Sequence, residues 1–314
     1  MQMRRGFTIV EVMITIVIMF ILVSFLLPTL HKSRARARYV AWKASGHNFT
    51  IDQDVVAYYN FEDQVETETK LDRVLNRGAG SALEAARDTS EPVDLDAYIV
   101  STPNDPAWSI KSGRWTSKGA MRFDGNDYLR VKAPKYDFDA GTVFMWVRAT
   151  PGDVTGLFST GTTGGAEDEY VALRKLNNNW EAAVRDGNAG TVTAGETALG
   201  ERKADASSVP SNIFKDIGYW HHLAVTWQGG KDMKFYLDGV MVQETSLATG
   251  EKQINSHLNA GEYAKNWTLG AEGDFAPLAI PVIGLSGVID EVGIMRTPLD
   301  GGLIKAFYRS GQWQ

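Results

Sequence analysis

Trp220-His221-His222-Leu223-Ala224-Val225-Thr226-Trp227, and a few residues later Lys234-Phe235-Tyr236-Leu237-Asp238-Gly239-Val240-Met241-Val242-Gln243-Glu244, decide the fold class. Both stretches are dense in the β-branched and aromatic residues that fit a pleated, half-buried surface. Asp-Gly supplies the two positive-φ positions of a tight hairpin turn. Trp220–Trp227, Lys234–Leu237 and Val240–Glu244 therefore read as strands, the last two joined at Asp238-Gly239. In an extended strand His221 and His222 point to opposite faces, so one is expected in the core and the other in solvent.

Outward from this hairpin the same pattern recurs. Val55–Phe61, Val143–Val147 and Tyr170–Leu173 are short runs of strand formers bounded by turn residues. Gly125-Asn126-Asp127 separates Met121–Phe123 from Tyr128–Val131 and is expected to make a second hairpin. Roughly a dozen strands of this kind, with almost no long helical period, point to one large antiparallel sandwich. Asn76 to Ser112 is polar and turn-rich, as in a long surface excursion. A short helix is expected over Asp300–Arg309, burying Leu303, Ile304 and Phe307 and closed by Gly311.

The N-terminus is a different material. Phe7 to Leu27 is a run of 21 residues broken only by Thr8, Glu11, Thr15 and Ser24. As a helix it spans roughly 31 Å, about one hydrocarbon core. A secretory signal peptide would have a shorter apolar stretch and a small-residue cleavage site at its far end, where this chain has Phe25-Leu26-Leu27-Pro28. A plain anchor has no use for a carboxylate such as Glu11 within the run, because an unpaired charge there is costly. Beyond Pro28, where a kink or local unwinding is expected, Ala37, Val40, Ala41 and Ala44 recur at helical spacing. That stripe is expected to pack on the globular domain, with the helix stopping within a few residues of Gly46.

Met1-Gln2-Met3-Arg4-Arg5-Gly6, a basic leader ending in glycine, followed by Phe7-Thr8-Ile9-Val10-Glu11, resembles the prepilin signature of type IV pilins and type II secretion pseudopilins. The resemblance implies cleavage after Gly6 by a prepilin peptidase and N-methylation of the new Phe7 terminus. It also implies an acid at the fifth mature residue, here Glu11, and a helix-kinking proline at the twenty-second, here Pro28. It implies partners as well: the inner membrane for the precursor, then other pilin subunits in a filament, with the globular domain outside the cytoplasm. Glu11 can there meet the Phe7 amino group of a neighbouring subunit, each charge compensating the other. Counting Lys32, Arg34, Arg36 and Arg38 against Arg4 and Arg5 gives the opposite orientation; the leader signature overrides it.

The remainder resembles the laminin G-like, concanavalin A-like lectin/glucanase superfamily. The resemblance rests on Val56-Ala57-Tyr58-Tyr59-Asn60-Phe61-Glu62, on Gly119–Leu129, on the Trp220–Gly239 hairpin, and on Ile289-Asp290-Glu291-Val292 before a Pro-Leu helix. The expected organisation is a leader (1–6), a transmembrane and pilin helix (7–50) and an all-β concanavalin A-like jelly roll (51–314). The superfamily implies a structural Ca²⁺, for which Glu62, Asn76 and Asp290 match the acidic blocks and Asp124 is a further candidate, since hard cations take oxygen ligands. It also implies glycans as ligands, with Trp180 and Trp267 available to stack on sugar, although core roles fit them better.

Catalysis is not expected. The glucanases of this superfamily carry Glu-x-Asp-x-x-Glu on one strand face; this chain has no such spacing, and no Gly-x-Ser-x-Gly elbow or phosphate loop. Glu167-Asp168-Glu169 follows Gly164-Gly165 and reads as a solvated loop. A net charge of −6 offers no basic footprint for nucleic acid. With no cysteine, neither disulfides nor thiolate metal sites can stabilise the domain.

Overall fold

The computed structural model describes residues 8–62, 73–79, 95–99, 106–109, 112–115, 118–131, 137–138, 140–149, 154–159, 170–176, 179–185, 201–205, 218–228, 231–246, 254–255, 267–272 and 283–312. Gly6, Phe7 and the Glu167–Glu169 cluster lie outside them. Helix α1 (Ile9–Phe49) opens the chain. The strands follow in order: β1 (Val55–Tyr59), β2 (Arg73–Val74), β3 (Ala97–Ile99), β4 (Ala107–Ser109), β5 (Ala120–Asp124), β6 (Leu129–Val131), β7 (Asp137–Phe138), β8 (Ala140–Ala149), β9 (Val154–Ser159), β10 (Tyr170–Leu176), β11 (Asn179–Arg185), β12 (Glu201–Asp205), β13 (His221–Gln228), β14 (Asp232–Leu237), β15 (Val240–Ser246), β16 (Ile254–Asn255), β17 (Trp267–Leu269), β18 (Ala271–Glu272), β19 (Ile283–Gly284) and β20 (Ser286–Met295). Helix α2 (Gly301–Gly311) closes the fold.

Two antiparallel sheets form the sandwich. The first runs β15-β14-β13-β8-β20-β5-β4, and the second β12-β11-β10-β9-β17-β6-β3-β2. Strand β20 pairs with β8 along one side; its other side is shared, Ser286–Ile289 with β5 and Val292–Met295 with β1. Between the sheets lies the main core, with Tyr59, Phe123, Met145, Phe158, Leu223 and Trp267 among its buried members. The far face of the first sheet is buried too, since Phe49 of α1 and Ile304 of α2 pack there with Tyr58, Phe144, Ala224 and Tyr236. The architecture is three layers: helices, sheet, sheet.

That third layer explains several departures from the sequence reading. His221 and His222 are both buried, neither in solvent, because α2 and Phe49 cover the face expected to be wet. The Asp238-Gly239 hairpin forms as expected, with φ of 51° and 73°. Gly125-Asn126-Asp127 does not make a hairpin, however: β5 belongs to the first sheet and β6 to the second. It is a corner between layers, with Gly125 at φ 103° and the Asp127 carboxylate accepting from the Asp124 N–H at 2.8 Å. The stretch expected to be a surface excursion contributes β3, seated between β2 and β6, and β4 at an edge of the first sheet. Trp180 and Trp267 are core residues, 3% and 0% exposed, and so present no ring for a sugar.

Helix α1 buries different residues from those expected, and α2 departs at one position. On α1 the docked face is Tyr39, Trp42, Gly46 and Phe49, while Val40 is 57% exposed and Ala37, Ala41 and Ala44 face solvent. Aromatic side chains bury far more apolar area than alanines, so they set the docking face. Gly46 is a point of contact, and α1 ends at Phe49, within a few residues of it as expected. The local unwinding expected at Pro28 does not occur, the helix running unbroken through it. On α2, capped by Asp300, Ile304 is buried and Phe307 partly so, as expected, but Leu303 is 45% exposed.

Candidate functional site

Two regions stand out, the N-terminal half of α1 and the joint where its C-terminal half meets the sandwich. From Ile9 to Leu30 no side chain of α1 is buried by the rest of the chain, and Phe20 and Phe25 are each 71% exposed. A bare apolar rod of this length requires lipid or other helices around it. At its start Thr8 and Glu11 form a capping box: Thr8 N–H and Oγ1 donate to Glu11 Oε2 at 2.8 and 2.9 Å, and Glu11 N–H donates to Thr8 Oγ1 at 3.3 Å. The acid therefore lies in the first turn of the rod, turned back onto Thr8.

The joint is built on a β-bulge. Along β20 the register with β8 steps from Ile289↔Val147 to Glu291↔Trp146, leaving Asp290 as the extra residue. Ile289 and Val292 both reach the inter-sheet core, so the bulge turns Asp290 and Glu291 together towards the helix layer. Two adjacent buried carboxylates require cations and donors, and the loop before β5 provides them. Arg114 reaches Asp290 Oδ2 at 3.1 Å through Nε and Glu291 Oε2 at 2.5 Å through Nη2, and its backbone N–H donates to Asp290 at 2.6 Å. Lys118 pairs with Asp290 Oδ1. Tyr58 donates to Glu291 Oε1 at 2.5 Å.

Helix α1 roofs this network. Trp42 Nε1 donates to Glu291 Oε2 at 2.8 Å, and its ring lies 4.4 Å from the Lys118 ammonium. The Arg114 guanidinium sits over Trp146, Trp115 and Trp42 at 4.2, 4.7 and 5.8 Å. Tyr39 donates to Glu62 Oε2 at 2.8 Å. Close approach depends on Gly46, where a Cβ would stand 2.9 Å from the Tyr58 hydroxyl oxygen. Burial alone pushes the Asp290 carboxyl up, but Arg114 and Lys118 outweigh it and hold it below the ordinary carboxylate range. Burial pushes the Tyr58 hydroxyl up, and Glu291 adds to this. Beside the joint, Trp42, Gly46, Phe49, Phe144, Trp146 and His222 line a small cavity with room for about one water molecule. His222 is wholly buried there, and desolvation first, then Arg114, drive its imidazole down to about 3.

The four residues expected to hold calcium do not form one cluster. Glu62 lies near the joint, accepting from Tyr39 and from the Gly119 N–H at 3.3 Å. Asp290 is inside the joint, paired with two cations. Asn76 instead bridges backbone, accepting from the Tyr58 and Gly78 N–H groups at 2.8 Å each. Asp124 accepts from Asn126 in an exposed turn. Among the described residues no group of three or more His, Asp or Glu side chains is placed to hold a metal ion. Sequence reading missed Arg114, Lys118, Glu291 and Trp42. The one available signal was the spacing Ile289, Val292, Ile294, which breaks strand alternation at the bulge.

Comparison with known proteins agrees with this division. Residues 1–27 match the prokaryotic N-terminal methylation motif, and residues 123–304 match the concanavalin A-like lectin/glucanases superfamily. No curated protein matches the chain. Among solved structures, it superposes on the botulinum neurotoxin serotype D ligand binding domain in complex with N-acetylneuraminic acid, at TM-score 0.52 and 12% identity, covering 84% of this chain and 52% of that one. The serotype G binding domain matches at TM-score 0.52 and 12% identity, with 81% and 50% coverage. At such identity the likeness is one of fold, and the chain spans about half the length of these structures. With the superfamily match covering more than half its length, the chain belongs to the concanavalin A-like lectin/glucanases superfamily, carried behind a prokaryotic N-terminal methylation motif.

Proposed function

We propose that this protein is a pilin-like subunit, processed between Gly6 and Phe7, whose transmembrane helix packs in a type IV pilus or type II secretion filament and whose sandwich is displayed outside the cytoplasm. The observation that carries this is the bare apolar half of α1, with an acid in its first turn bonded to Thr8. In a filament, neighbouring helices cover that surface, and Glu11 exchanges its contact with Thr8 for the Phe7 ammonium of the next subunit. Pro28 lies near the end of the bare apolar stretch, well before the docked face begins at Tyr39. The joint supports the reading, since Trp42, Tyr39 and Phe49 fix the sandwich to the helix and a fixed domain can be carried in register along a filament. The experiment is quantitative mass spectrometry of sheared surface filaments. Recovery of this chain in stoichiometric or tip-like amount supports the proposal, and its absence from filaments, with normal levels in the membrane, refutes it.

A second reading, glycan recognition by the displayed domain, is favoured by one specific arrangement. Register across the second sheet places Arg73 opposite Tyr98, and Tyr98 opposite Arg130, in one transverse row. These residues alternate with the core residues Val74, Ala97, Leu129 and Val131, so the row points away from the core. Tyr98 is 37% exposed and flanked by Arg130 and by Arg73, whose guanidinium also pairs with Asp96 at 3.1 Å, so a carboxylated sugar would share or displace that pairing. N-acetylneuraminic acid is the probe of choice. Measurable binding by the full chain, lost in Arg73→Ala/Tyr98→Ala, supports this reading, and binding unchanged by the double substitution refutes the site.

A further inference from the structure

We propose that Lys118 is a tethered cation: its ammonium fills an oxygen cage in the sandwich that would otherwise suit a free metal ion, so that no calcium is needed to hold Asp290. Lysine is among the residues least often fully buried, yet Lys118 is 0% exposed. Its Nζ donates to the carbonyl oxygens of Asn60 at 2.8 Å and Asp290 at 3.0 Å, lies 3.4 Å from that of Gly119, and pairs with Asp290 Oδ1. Three main-chain carbonyls and a carboxylate form the kind of donor set that hard cations take. An ammonium has only three protons and no acceptor, so these four oxygens occupy it fully. The Trp42 ring, 4.4 Å away, closes the remaining side.

Charge gives the same answer. Asp290 and Glu291 are balanced by Arg114 and Lys118, all four buried. A divalent ion added to this neutral group, with Glu62 beside it, would leave at least one uncompensated positive charge in a low-dielectric site, which is disfavoured. The cage oxygens come from the end of β1, the loop before β5 and the bulge of β20. One side chain thus joins three segments far apart in sequence under the docked helix. The consequence is a domain whose shape, and whose hold on α1, is independent of the metal content outside the cell.

The test uses the full chain in detergent micelles and reads Tm in chelator, in millimolar calcium and in millimolar potassium. Wild type should show the same Tm in all three. Lys118→Met, which keeps the stem and loses the charge, should melt lower by roughly 10 °C. Lys118→Ser opens the cage; it should melt lower in chelator and regain part of the loss with calcium or potassium. A wild-type Tm that falls in chelator, a Lys118→Met chain as stable as wild type, or a folded Lys118→Ser chain indifferent to both cations would each overturn the proposal. Should neither substituted chain fold, the wild-type response to chelator decides alone. Because these readings concern the sandwich and its joint, they stand or fall separately from assembly into filaments.

Discussion

Replacing Trp42 should detach the helix from the sandwich. The ring is 4% exposed, contacts Trp115 at 5.1 Å and Tyr39 at 5.7 Å, and covers the Lys118 ammonium. Its indole N–H is also one of the donors to the buried Glu291 carboxylate. Trp42→Ala removes the packing and leaves a cavity, a loss of about 3–5 kcal/mol by analogy with other buried aromatic truncations. Trp42→Phe keeps much of the ring but removes the donor, which for a bond to a charged group costs about 1.5–3 kcal/mol. Circular dichroism melts of the full chain in detergent should rank wild type above Trp42→Phe above Trp42→Ala. Hydrogen exchange should localise the change, with residues 35–49 losing protection in Trp42→Ala while β13 and β14 keep theirs. A cost below about 1 kcal/mol for Trp42→Ala, or protection of 35–49 unchanged, would refute the idea that this contact anchors the helix.

Two further outcomes follow from the same geometry. Burial holds the His222 imidazole at about 3, against 6.5 for an exposed group. The unfolded chain therefore binds a proton that the folded one refuses, and stability present above pH 6.5 should drain away as pH falls towards 3, by as much as roughly 5 kcal/mol. His222→Met should flatten that acid limb in a Tm-against-pH series; an unchanged limb would assign acid sensitivity to other groups. Glu11→Leu should leave the sandwich folded and membrane levels normal while abolishing recovery of sheared filaments, since the partner ammonium is left uncompensated at a cost of about 3–5 kcal/mol; normal filaments would make the acid incidental.

Local signals in the sequence located most of the secondary structure. The Asp238-Gly239 turn, the strand runs around it and the apolar rod from residue 7 each depend on near neighbours and on a period. What stayed hidden depends on distant partners. Lys118, in a polar loop, looks like a solvated lysine until β20, 172 residues away, supplies its carboxylate and carbonyl. Trp42 meets an acceptor 249 residues away. The two-faced burial of β13 follows from a helix layer that strand alternation cannot reveal, which is why His222 was expected in doubt between core and solvent. The docking face of α1 lies nearly opposite the Ala37, Val40, Ala41 and Ala44 stripe, because Tyr39, Trp42 and Phe49 carry far more apolar area than the alanines. Asp290 illustrates both cases. Its place in the closing strand was legible, whereas its partners, Arg114 and Lys118, were not.

The central claim is that residues 1–6 are a leader and that Phe7 heads an assembled subunit. Intact-mass and N-terminal analysis of the chain recovered from sheared surface material tests it directly. The chain is expected to begin at N-methylated Phe7, with Gly6 and all preceding residues gone, and unprocessed precursor is expected to accumulate when Gly6 is replaced by a bulky residue. Surface material that still begins at Met1 would contradict it.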